Sequence, residues 1–168
     1  MNKLTRILRH RWLDERDASR ALGSAALGRI EQRVQQSERG HTGELRVCVE
    51  ASLPLSYLWR GATARERAVT MFGKLRVWDT EQNNGVLIYL LLAERKIEIV
   101  ADRGLSREVE EARWQLILNG MAEVFRTGDY EAGLRQAIDA VDDLLRRHFP
   151  LAAGAFNSNE LPDAPDIR

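Results

Sequence analysis

Residues Val86 to Ala93 form an apolar run broken by no charge, and no other stretch constrains the fold as tightly. The run is far short of the roughly 20 residues that a helix needs to cross a bilayer. It follows the turn-forming stretch Asp79 to Gly85 and stops before Glu94, so it predicts a strand buried on both faces at the centre of a sheet. At 168 residues the chain suits a single α/β domain with its own core.

The flanking segments supply the other elements. Ala93 to Arg95 turn the chain, and Ile97, Ile99 and Ala101 then alternate with polar neighbours as the second arm of an antiparallel hairpin. Earlier, Glu44 to Glu50 alternates, with Leu45, Val47 and Val49 on one face and Arg46, Cys48 and Glu50 on the other, which predicts the first strand. Thr63 and Glu66 have capping-box spacing ahead of a helical face of Ala64, Ala68, Phe72, Leu75 and Trp78. A helix between two strands makes those strands parallel neighbours joined by a right-handed crossover. Further helices are expected over Asp17 to Glu38 with Gly40 as a left-handed cap, from Ser106 as N-cap to Arg126, and from Asp129 to Phe149-Pro150.

The ends read differently. Residues 1–18 form a basic amphipathic segment, with Leu4, Ile7, Leu8 and Trp12 on one face, expected to dock on the domain rather than on a membrane surface. Residues 19–150 form the domain proper. Residues 151–168, rich in Ala, Asn, Asp and Pro and without a period, are expected to be a flexible tail.

Lys plus Arg and Asp plus Glu both number 25, which removes the long-range field that general nucleic-acid binding uses. Cys48 is the single cysteine, so neither an intrachain disulfide nor a cysteine zinc site exists, and a cytoplasmic location fits. No signal-peptide pattern is found near Met1, so export is not expected. Cys48, inside a strand, reads as an inert thiol. The four tryptophans, Trp12, Trp59, Trp78 and Trp114, read as packing residues and fluorescence reporters of folding.

The strand order gathers His41, Thr42, Glu44, Asp79, Glu81, Asn83, Asn84, Asp102 and Arg103 at one edge of the sheet. Two chemistries fit. One is a hard-cation site for calcium or magnesium, with carboxylates from Glu44, Asp79 and Asp102 and amide oxygens from Asn83 or Asn84. The other is an anion seat in which Arg103 offers a planar fork and His41 transfers protons. Against both stands the reading that these are solvated loop ends chosen for turn geometry. No Gly-rich phosphate loop, zinc-binding helix motif or nucleophile elbow is present.

The segments His41-Thr42-Gly43-Glu44-Leu45-Arg46-Val47, Asn84-Gly85-Val86-Leu87-Ile88-Tyr89, Arg95-Lys96-Ile97-Glu98-Ile99 and Phe125-Arg126-Thr127-Gly128-Asp129-Tyr130, with Gly133-Leu134 after them, resemble the TPM domain family. The resemblance runs from about residue 20 to residue 149. It implies a mixed sheet of three to four strands flanked by helices on both faces, a three-layer sandwich. It also implies relatives with acid phosphatase activity, members that bind divalent cations, and LemA-type or other TPM proteins as partners. Where the family commonly has Glu-x-Gly-x-Gly after the third strand, this chain has Val100-Ala101-Asp102-Arg103-Gly104, one carboxylate and one glycine fewer. The expected function is therefore a non-catalytic binding or scaffold module that works with a protein partner and requires no cofactor. The alternative is a weak divalent-metal-assisted acid phosphatase acting on phosphomonoesters.

Overall fold

The computed structural model describes residues 3–168; residues 1 and 2 of the N-terminal segment, and the side chain of Lys3, lie outside that description. Strand β1 (Leu45–Glu50) pairs in parallel with β2 (Val86–Leu91), Leu45 opposite Val86 and Glu50 opposite Leu91. Antiparallel to β2 runs β3 (Lys96–Ala101), with Val86 opposite Ala101. The crossover between β1 and β2 carries α3 (Leu55–Trp59) and α4 (Ala64–Lys74). Every residue of β1 and β2 is buried, because both faces of the sheet are covered.

Val47, Val49, Ile88, Leu90, Ile97 and Ile99 face the larger core, shared with α2 (Glu15–Glu38), α6 (Glu111–Thr127) and α7 (Tyr130–His148). Cys48, Leu87, Tyr89, Leu91 and Val100 face a smaller core under α4, filled by Ala68, Met71 and Leu58. The expected three-layer mixed α/β sandwich is what forms. On the α4 side, Glu50 accepts from Arg67 Nη2 at 2.6 Å and Arg67 Nε at 2.8 Å, and from the Tyr89 hydroxyl at 2.6 Å. These bonds offset the desolvation of a carboxylate that lies among apolar side chains.

Several helix ends follow the sequence. Thr63 and Glu66 close a reciprocal capping box, Gly128 ends α6 at φ 89°, and Asp129 caps α7 by accepting from Ala132 N at 3.1 Å. Others do not. Ser106 caps nothing: Asp102, directly after β3, accepts from Arg103 N at 2.7 Å and starts α5 (Arg103–Glu108), and α6 begins only after Glu110. Gly40 is not left-handed. Its role is close approach, since a Cβ there would lie 1.8 Å from Arg146 Nη1. Within α2 it is Gly23 that takes a positive φ, 67°, and it kinks the helix between residues 22 and 24.

Two larger differences concern the ends. The tail expected to be flexible lies along β1 instead. Residues Asp166–Ile167 form β4, parallel to β1 and completing the order β3-β2-β1-β4. Arg46 donates to the Pro162 and Ala164 carbonyls, and Arg168 N donates to Val49 O at 2.9 Å. The exposed edge of β1 supplies main-chain partners that offset the ordering entropy of a segment poor in apolar side chains.

Helix α1 (Lys3–Arg11) docks, but of the expected apolar face only Ile7 turns inward. Arg6 donates to Glu94 at 2.7 Å and to the Ala62 carbonyl at 2.6 Å. Buried His10 accepts from Leu53 N at 3.0 Å and reaches Glu94 at 3.2 Å, and Ile7 packs on the smaller core. His10 and Arg6 hold the Glu94 carboxyl down at about 2. Leu4, Leu8 and Trp12 remain exposed. Among the described residues no helix is long and apolar enough to cross a membrane.

Candidate functional site

The register of β1, β2 and β3 brings their rim residues together: Leu45, Val86 and Ala101 stand abreast, so residues 42, 84 and 102 are neighbours. Thr42 Oγ1 donates to Gln82 Oε1 at 2.8 Å and accepts from Asn84 Nδ2 at 3.2 Å. Asp102 N donates to Gly85 O at 2.8 Å, and Gly104 N to Asn83 O at 2.8 Å. Asn83, left-handed at φ 52°, accepts through Oδ1 from Arg103 Nε and Nη2 at 3.0 and 2.9 Å. The glycines permit this closeness: a Cβ on Gly85 would lie 2.0 Å from Val77 O, and one on Gly104 2.4 Å from Asn83 O.

The other expected members point elsewhere. Glu44 turns toward the tail, where it accepts from Leu161 N at 3.0 Å and Glu160 N at 3.2 Å. Burial raises its pKa to about 7 despite those amides. Asp79 is on the surface in an ion pair with Arg76. Glu44, Asp79 and Asp102 therefore do not form the expected carboxylate trio, and among the described residues no three His, Cys, Asp or Glu side chains group as metal ligands.

His41 is fully buried between α2 and α7, its Nε2 2.9 Å from Ser37 Oγ and 3.5 Å from Asp142 Oδ1. Ser37 Oγ donates to Asp142 at 3.0 Å, and Arg146 Nε donates to the same oxygen at 2.7 Å. Burial lowers the His41 pKa to about 4, with Asp142 opposing the shift and Arg146 adding to it. At neutral pH the ring is uncharged and sealed from the rim, which corrects its reading as a proton-transfer group beside Arg103.

The sequence reading missed Ser37, Asp142 and Glu38. Ser37 and Asp142 sit beside Val34 and Val141 on the buried faces of their helices, and a polar residue on an apolar stripe is the signal that marks such a pair. Glu38 accepts from Leu45 N at 2.9 Å, and burial raises its pKa to about 9. Cys48 is buried, and burial together with nearby Asp166 pushes its thiol pKa up, as expected for an inert cysteine.

What remains open at the rim is a pair of acceptors. Asn84 Oδ1 and Asp102 Oδ2 are both buried without a hydrogen-bond partner.

A mixed four-stranded sheet between two helical layers, with a glycine-tightened rim where parallel and antiparallel strands meet, defines the class to which this chain belongs. Within it, the sequence model of the TPM domain matches residues 16–144, and the chain belongs to that family. It is similar to the BA42 protein of the psychrophilic bacterium Bizionia argentinensis, known from an NMR structure. The TM-score is 0.73 at 25% identity, over 86% of this chain and 94% of that one. The N-terminal domain of the cg2496 protein of Corynebacterium glutamicum shares the fold at TM-score 0.53 and 10% identity, over 82% of this chain and 78% of that one. No curated protein matches the sequence.

Proposed function

We propose that this chain is a non-catalytic TPM-domain binding module that works with a protein partner in the cytoplasm. The supporting observation is that the three carboxylates expected to bind a cation and the histidine expected to transfer protons serve the fold. Glu44 holds the tail, Asp79 pairs with Arg76, Asp102 caps α5 and His41 faces inward. Acid-base or metal-assisted hydrolysis needs such groups to converge on one substrate atom. Arg103 is exposed and oriented by Asn83, which suits the capture of a partner's carboxylate. The pure protein should show no phosphomonoester turnover above the blank with calcium or magnesium, and Arg103→Ala should lower recovery of a co-purifying protein without changing the circular dichroism. Metal-dependent turnover lost in Asp102→Ala or Arg103→Ala would overturn this reading.

A second reading, the weak divalent-metal-assisted acid phosphatase, is favoured by the two unpartnered acceptors. Asn84 Oδ1 and Asp102 Oδ2 are hard oxygen donors of the kind that calcium or magnesium takes. Those two residues would hold the ion, which would polarise a phosphoryl oxygen when bound. Calcium and magnesium should then raise the melting temperature of the wild type and not that of Asp102→Ala. No rise in the wild type removes this reading.

A further inference from the structure

At the end of the sheet opposite the rim, β1 and β2 finish at Glu50 and Leu91, and α1 packs there through His10 on Leu53 and Arg6 on Glu94. Helices α1 and α3, with the turn that follows α1, present Leu4, Leu8, Trp12, Leu55 and Trp59, exposed by 69, 57, 82, 66 and 70%. Leu4 and Leu8 lie one turn apart on α1, and Trp12 follows in the turn directly after Arg11. Beside the two helices lies an open cleft of about 280 Å³ lined by Ile7, His10, Arg11, Leu53, Leu55 and Leu58. Large apolar side chains left exposed on two helices that pack together mark an interaction site.

The charges indicate what covers it. Helix α1 contains no acidic residue, and Arg9 and Arg11 are exposed beside the apolar stripe. The carboxylates nearby are occupied or peripheral. Glu94 is held by Arg6 and His10 and approached by Lys96 at 3.4 Å, Glu66 pairs with Arg60, and Asp14 and Glu15 begin only after the stripe ends. Leucines and tryptophans flanked by arginines match an interface that is apolar a few ångströms deep and negative at its surface.

We propose that the α1–α3 end docks on an anionic lipid surface, with Leu4, Leu8 and Trp12 entering the headgroup boundary and Arg9 and Arg11 facing lipid phosphates. A single short helix binds a bilayer weakly; here α3 and the cleft extend the apolar contact beyond α1. The rim, at the other end of the β1–β2 pair, would then face away from the membrane and stay open to a partner.

The test is co-sedimentation of the full chain with phosphatidylglycerol-containing vesicles and with pure phosphatidylcholine vesicles at low and high salt. Binding is expected to the anionic vesicles only, weakened by salt, with a blue shift of tryptophan emission that Trp12→Phe reduces. Leu8→Glu, at a side chain already in solvent, should keep the native circular dichroism and weaken binding by about tenfold or more, the effect of losing one buried leucine. Arg9→Ala with Arg11→Ala should weaken binding to anionic vesicles by about tenfold. Equal binding to both vesicle types, or unchanged binding by Leu8→Glu, overturns the proposal. So does a protein partner lost on Leu8→Glu while the wild type ignores vesicles. The rim reading fails separately, through Arg103→Ala, which leaves vesicle binding unchanged.

Discussion

Glu44 has no exposed surface, and its partners are two tail amides and Asn157. Its pKa is raised from 4.5 to about 7, so the fold prefers the protonated form. The stabilisation that goes with that preference is complete below 4.5 and is lost as pH rises through about 7, a change of roughly 3 kcal/mol across the window. His41 acts with the opposite sign. Lowered from 6.5 to about 4, it contributes stability above 6.5 that is lost as pH falls toward 4. Glu44→Gln isolates the first effect, because an amide still accepts from the tail and cannot ionise. In urea unfolding the variant should gain roughly 2 to 3 kcal/mol on the wild type between pH 4.5 and a pH above 7, and a constant difference would show Glu44 ionised freely in the fold. At this scale the sequence reveals neighbours better than directions. Thr42, Asn84 and Asp102 meet because strand pairing alone fixes them, whereas the aim of Glu44 depends on a tail more than a hundred residues away and that of His41 on two helices.

Elements bounded by local chemistry are legible for the same physical reason. The Thr63–Glu66 box and the Gly128-Asp129 stop and start each need only a few adjacent residues. Asp102 displaced Ser106 as a cap because it directly follows a strand whose end is set by pairing with β2, which no local pattern announces. The tail is the larger miss. Its composition predicts disorder on average, but two strand residues, Leu161 and the acceptors of Arg46 hold it by specific long-range bonds. Removing residues 152–168 should therefore cost roughly 3 kcal/mol or more, from lost burial of Leu161 and from Glu44 and Arg46 left without partners. The same deletion opens the edge of β1 and takes Asp166 away from Cys48, 3.6 Å from its thiol. The shortened chain should self-associate in sedimentation, and Cys48 should react with a thiol reagent that the full chain resists. A monomer with the original midpoint and an inert thiol would mean that β4 adds nothing.

Across the whole molecule the tryptophans report on one core and one surface. Trp114 on α6 is 7% exposed in the larger core, while Trp12 and Trp59 are largely in solvent and Trp78 is half-exposed. The expectation of four packing tryptophans thus reduces to one buried indole. Most native emission comes from rings already in water, and the change on unfolding comes mainly from Trp114. Trp114→Phe should remove most of that change while far-ultraviolet circular dichroism still records one cooperative transition, its stability lowered by about 1 kcal/mol for a smaller ring in the same site. Trp12→Phe should leave both the fluorescence change and the midpoint untouched. If Trp12→Phe abolishes the signal, α1 lies on the domain through its leucine stripe, and the end of the molecule opposite the rim presents arginines without an apolar surface beside them.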